Sequence, residues 1–207
     1  MRKPVISVIS IHDIPIFSPS GSIAMPAFPG NDENIKPSRK QLREQQSQIG
    51  HWLAENFTKS TPGQAVATSI SHRKHWVACL AAPQTEPVGL DLETLQERDA
   101  PALLEMLLTD EERKLLIEDQ QNPLFNFYRC WTLKEALGKQ TRLGWDAPKE
   151  RLDLSLTQQR CGNLWLPELQ LMLAYALSPG SATPELNRML ADGSTQPLAH
   201  VHLPWHV

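Results

Sequence analysis

The stretch VGLDLE, residues 88–93, alternates apolar and acidic side chains after a single glycine. Such alternation predicts a strand, on which residues two apart share a face. Asp91 and Glu93 then point one way, while Val88, Leu90 and Leu92 point the other, toward a core. Two carboxylates held that close repel unless a cation lies between them. A hard divalent ion such as Mg2+, bound through oxygen with a phosphate completing its shell, would remove the conflict. The plainer alternative is a strand whose outer face is acidic and simply solvated.

Downstream, Thr109 and Glu112 have capping-box spacing in front of ERKLLIEDQ, which predicts a helix start. Asn122 and Pro123 suit the cap and first residue of a longer helix, running from Pro123 to about Thr141, with Arg142 and Gly144 fitting its end. That helix carries FYRCWTLKEALGK, residues 127–139. Glu135 and Lys139 are one turn apart, Trp131 precedes Glu135 by a turn, and Lys134 is rotated about 100° from Glu135. An exposed Glu–Lys pair on a helix whose Phe127 and Trp131 pack a core would look the same, at about 0.3–0.5 kcal/mol. Beyond lie strand candidates at RLDLSL and LQLMLAYAL, a short helix at PELNRML and a last strand near LAHVHLP.

Upstream, PVISVISI (residues 4–11) reads as a strand, and the proline-dense segment 13–38 as an irregular arm. Ser38 suits the cap of a helix reaching about Phe57, with Leu42, Ile49, Leu53 and Phe57 near one face. AVATSIS, HWVACLAA and VGLDLET then look like an antiparallel meander, with turns near His72–Lys74 and Gln84–Pro87. SISHRKHW, residues 69–76, places Ser71, His72, Arg73, Lys74 and His75 at a basic corner able to hold phosphate, or at a merely soluble hairpin tip. The predicted domains are 1–100, with the Ser-His and Gly-x-Asp-x-Glu motifs, and 101–207, with the Trp-x-x-Lys-Glu helix.

The whole chain sets limits on these readings. With 41% apolar and 21% charged residues among 207, it can build a real core. A net charge of −3 excludes a general nucleic-acid grip through a basic face. No apolar run approaches the roughly 18 residues of a membrane helix. Cys79, Cys130 and Cys161 are isolated, so neither a disulfide framework nor a structural zinc site is expected, and the setting reads as cytoplasmic. Phosphate-loop and nucleophile-elbow motifs are absent from the sequence. His200, His202 and His206 read as surface strand residues.

In order, SISH, GLDLE, LLTDEE with Glu112, and WTLKEALGK resemble the 4′-phosphopantetheinyl transferase superfamily. The likeness is to its larger monomeric, surfactin-synthetase-activating branch, over roughly residues 66–156. That resemblance implies an α/β (α+β) fold: a pseudo-dimer of two similar halves, each an antiparallel sheet with packed helices, with the active site between them. It implies transfer of phosphopantetheine from coenzyme A to a serine of an apo acyl or peptidyl carrier protein, releasing 3′,5′-adenosine bisphosphate. Asp91, Glu93 and Glu135 would hold Mg2+; Glu135 would be the base and Lys139 the cation at the leaving phosphate. Ser71, His72, Lys134 and Lys139 would contact coenzyme A. A Gly-Lys-Pro segment common in the family is missing upstream of the Ser-His motif, and Gln48 stands where an arginine is usual. A catalytically silent carrier-binding module on the same fold is the alternative, and a metal-dependent phosphohydrolase a third reading.

Overall fold

The computed structural model describes residues 3–10, 38–82, 85–116, 122–143, 153–154, 160–190 and 194–204. The chain divides into two compact units, Met1–Thr85 with Thr183–Leu198, and Glu86–Ala182 with Ala199–Val207. The segment 13–37 and most of RLDLSL lie outside the described residues. Within RLDLSL, Asp153 is irregular and Leu154 lies in a turn.

In the first unit, β1 (Val5–Ser10), β2 (Ala67–Arg73), β3 (Trp76–Ala82), β7 (Glu185–Met189) and β8 (Thr195–Pro197) form one sheet, ordered β2-β3-β1-β7-β8. Its pairs are antiparallel except for β1 with β7, which run parallel. PELNRML reads in the sequence as a short helix. It is instead β7, whose backbone pairs with β1 in the register Val5 to Glu185, and this pairing overrides the local pattern. Helix α1 (Arg39–Ser60) starts at a capping box in which Ser38 Oγ accepts from Gln41 N and Gln41 Oε1 accepts from Ser38 N. It buries Ile49, Trp52 and Leu53 against Ile9, Val77, Cys79 and Met189. Each such side chain contributes about 1.5–3 kcal/mol relative to exposure.

In the second unit, β4 (Gly89–Thr94), β5 (Arg160–Leu166), β6 (Leu171–Leu177) and β9 (Val201–Pro204) form an antiparallel sheet ordered β4-β6-β5-β9. Helices α2 (Ala100–Leu107), α3 (Asp110–Leu116) and α4 (Pro123–Thr141) follow β4. The molecule is thus a mixed α/β fold built on two sheets, as the sequence implies.

Two further expectations are corrected. The three-strand meander stops after two strands, because β4 pairs with β6 in the second sheet rather than with β3. The boundary at residue 100 accordingly moves to 85/86, and residues 183–198 return to the first unit. Hydrogen bonding between strands distant in sequence, which no local pattern encodes, sets both changes.

Candidate functional site

Gly89 explains how a helix comes to lie on the acidic strand. A Cβ on Gly89 would fall on the Ala136 carbonyl oxygen of α4 and within 3.0 Å of the Gln140 Cβ. Only glycine permits that approach. By strand alternation Asp91 and Glu93 share Gly89's face, beneath α4, while Leu90 and Leu92 are buried on the other. Asp91 is only 7% exposed, so it is not part of an acidic solvent face. Its neighbour across the ladder is Ala174, which packs with Ala176, Leu133, Ala136 and Leu137 under the helix.

Helix α4 forms where the sequence predicts. Asn122 Oδ1 accepts from Phe125 N at 3.0 Å, Pro123 occupies the first turn, and Arg142 closes the C-terminus in the left-handed conformation at φ 59°. Gly144 lies outside the described residues. Asn163 of β5 anchors the helix by donating to Thr132 Oγ1 at 2.9 Å and to the Arg129 carbonyl at 3.3 Å. The Tyr128 hydroxyl accepts from Gln96 N and Arg98 Nε, both at 3.1 Å, and so ties the chain after β4 to the same helix.

On this frame Lys139 Nζ donates to Asp91 Oδ1 at 3.0 Å and to the Leu90 carbonyl at 2.8 Å. The Lys139 side chain is 35% exposed, so the pair is open to solvent on one side. Glu135, half-buried one turn earlier, has its carboxyl pKa raised above the ordinary value by burial and by the Asp91 charge, while Lys139 pulls it back. Asp91, Glu135 and Lys139 therefore act on one another. They are a carboxyl with raised proton affinity, a second carboxylate and an ammonium, brought together by α4 and β4 of the second unit. Among the described residues no group of three or more His, Cys, Asp or Glu side chains is gathered to hold a metal ion.

Lys134 has a different place from the one the motif suggests. Its ammonium is 2.8 Å from Glu112 Oε2, with the two side chains 2% and 0% exposed. Glu112 also accepts from Thr109 N at 2.8 Å and from Leu154 N at 2.6 Å. Thr109 Oγ1 in turn accepts from Glu112 N at 3.3 Å and donates to Asp153 Oδ2 at 3.1 Å. The capping box read from the sequence is therefore present, and its glutamate is also the buried counter-ion of Lys134. A contact from Lys134 to coenzyme A phosphates is corrected to an internal tie joining α3, α4 and the 153–154 segment.

Ser71 and His72 lie on β2 of the first unit, an edge strand, with Ser71 buried at 6% and His72 exposed. The hairpin after them turns through Lys74 at φ 54°, and its carbonyl accepts from buried Gln46 at 2.5 Å. That contact had no sequence signal. His202 is 2.8 Å from the Tyr175 hydroxyl rather than simply at the surface, and His206 lies outside the described residues. Burial pushes the Cys79 and Cys130 thiols up to about 12 and Cys161 up to about 11, which excludes them as nucleophiles near neutral pH.

Residues 87–176 match the sequence model of the 4′-phosphopantetheinyl transferase superfamily. This stretch, spanning β4 to β6, carries the carboxylates and both lysines. The chain is 27% identical over 115 residues to the 4′-phosphopantetheinyl transferase Sfp of Bacillus subtilis (strain 168), across 54% of this chain and 50% of that protein. It is 33% identical over 75 residues to the 4′-phosphopantetheinyl transferase gsp of Aneurinibacillus migulanus, across 34% and 31%. It is 26% identical over 114 residues to the 4′-phosphopantetheinyl transferase psf-1 of Bacillus pumilus, across 54% and 48%. The chain spans about half or less of the length of these curated relatives. Among the described residues no helix is long and apolar enough to cross a membrane.

Proposed function

We propose that this chain transfers the 4′-phosphopantetheine group of coenzyme A to a serine hydroxyl of an apo acyl or peptidyl carrier protein. The observation that carries the reading is the Asp91–Lys139–Glu135 constellation, formed by the two motifs inside the segment that matches the superfamily. In the reaction the serine oxygen bonds to the phosphorus next to pantetheine. The bond from that phosphorus to the bridging oxygen breaks, and 3′,5′-adenosine bisphosphate leaves with the electron pair. The serine proton goes to Glu135, the carboxylate proposed as general base. The Lys139 ammonium, one turn away, is placed to meet charge developing on the leaving phosphate.

Asp91, Glu93 and Glu135 are all hard oxygen donors, and the mutual repulsion recorded in Glu135 is what a cation relieves, so their chemistry fits Mg2+. Held there, the ion would neutralise phosphate charge and orient the displacement. Ser71 and His72 are proposed as coenzyme A contacts on the Ser-His motif alone. A cytoplasmic monomer is the setting this reading implies.

The test is intact-mass spectrometry of purified apo carrier protein incubated with the chain, coenzyme A and Mg2+, with and without EDTA. A gain of one phosphopantetheine, lost with EDTA, is expected. Carrier binding with no gain across acyl and peptidyl carriers would instead identify a silent docking module.

A further inference from the structure

The ion pair between Lys139 and Asp91 raises a question of occupancy. Lys139 Nζ takes Asp91 Oδ1 at 3.0 Å and the Leu90 carbonyl at 2.8 Å, both on β4. Asp91 is almost wholly buried, whereas Lys139 is about one-third exposed and sits near the C-terminal end of α4. One partner is therefore fixed in the strand, and the other is a long, flexible stem with a route to solvent. Among the described residues no group of three or more acidic, histidine or cysteine side chains is gathered as a metal site, and a lysine ammonium lies 3.0 Å from Asp91.

We propose that Lys139 is a resident counter-ion, holding Asp91 in the ligand-free chain and leaving it when a divalent cation arrives. The inference rests on the reading that a divalent cation serves these carboxylates. It accounts for two uses of one side chain. Before loading, the ammonium offsets the charge of a buried carboxylate that would otherwise be costly. After displacement it needs a new anionic partner, and the pyrophosphate of coenzyme A supplies one. Metal and substrate should then bind with positive coupling, because each relieves a cost imposed by the other. A divalent ion alone must evict the lysine without compensation, so it should bind weakly.

The experiment uses the full chain and Mn2+ as probe, with free Mn2+ followed by electron paramagnetic resonance. Lys139→Met keeps the stem and removes the charge. It should bind Mn2+ at least about tenfold more tightly than wild type, as expected when a unit charge is removed from about 3–4 Å. Adding coenzyme A should tighten Mn2+ on wild type markedly and on Lys139→Met much less. Unchanged or weaker Mn2+ binding by Lys139→Met overturns the inference, as does no measurable binding by either protein.

Wild-type chain gives a measurement that does not depend on the variant folding. Mass-mapped acetylation of Lys139 should be slow without metal and faster with Mn2+, while unchanged labelling counts against displacement. The outcomes separate this inference from the transferase reading. Transfer by wild type with no affinity change in Lys139→Met sinks only the counter-ion. Tightened Mn2+ binding in a chain that transfers nothing sinks only the transferase.

Discussion

Two lysines five residues apart on α4 make ion pairs of nearly equal length, and they do different work. Lys134 meets Glu112 at 2.8 Å with both side chains sealed from solvent. Lys139 meets Asp91 at 3.0 Å with its own side chain 35% exposed. The first pair is completed by the backbone N–H groups of Thr109 and Leu154, so every part of it faces protein that cannot move cheaply. The second joins a buried carboxylate to an ammonium whose side chain is partly open to solvent. Bond length is therefore a poor guide to role. The environment of each partner decides whether an ion pair locks a fold or waits for a ligand.

The sharpest way to break this contrast is to remove the sealed lysine. Lys134→Met leaves Glu112 charged and buried, which should cost about 3–5 kcal/mol in urea unfolding. Adding Glu112→Gln should recover much of that loss, and a double mutant as unstable as the single would show that the charge is not the cause. On the open side, Glu135→Gln should reduce transfer to carrier protein by about 10²–10³ with the fold retained. Turnover within a few-fold of wild type would remove Glu135 as base. Trp131, which packs against Phe127 at 5.6 Å but is only half-buried, should lose less on truncation than a core tryptophan. Thermal and urea melts of Trp131→Ala should report about 2 kcal/mol, below the 3–5 typical of full burial.

The smallest effect is a pH dependence. The Glu135 carboxyl is raised in the folded chain, so the folded state binds its proton more tightly than the unfolded state does. Its contribution to stability is then greatest in acid and declines as pH rises through its titration. Glu135→Gln should melt slightly higher than wild type near neutral pH, with the difference vanishing on acidification. A constant offset at every pH would contradict a Glu135 carboxyl raised by burial and by the Asp91 charge.

Local signals were the legible ones. Ser38, Asn122 and Pro123 mark helix starts by side-chain chemistry within four residues, and α1 and α4 begin where those marks stand. Period put Asp91 beside Glu93 on a strand face and Glu135 beside Lys139 on a helix face. Only the resemblance of the two motifs joined strand and helix into one site, since spacing alone fits a solvated surface equally well. The strand partner of β4 was not legible, since β3 and β6 are equally apolar and only the tertiary arrangement chooses between them. Lys134 was misplaced for a related reason. Its partner Glu112 lies on another helix, and its charge gave no hint that it would be buried. Asn163 and Gln46 were missed because a single amide in a strand or helix carries no pattern.

The return of β7 to the first sheet bears on how such a chain is made. On a ribosome β1 emerges well before its partner Glu185, which follows only after the second unit's α4 and β6. Until then β1 can pair on its β3 side alone, leaving one strand edge open while the second unit is made. A fragment cut at the 85/86 boundary would keep that edge bare, so the first unit cannot be excised as a continuous piece without losing both β7 and β8.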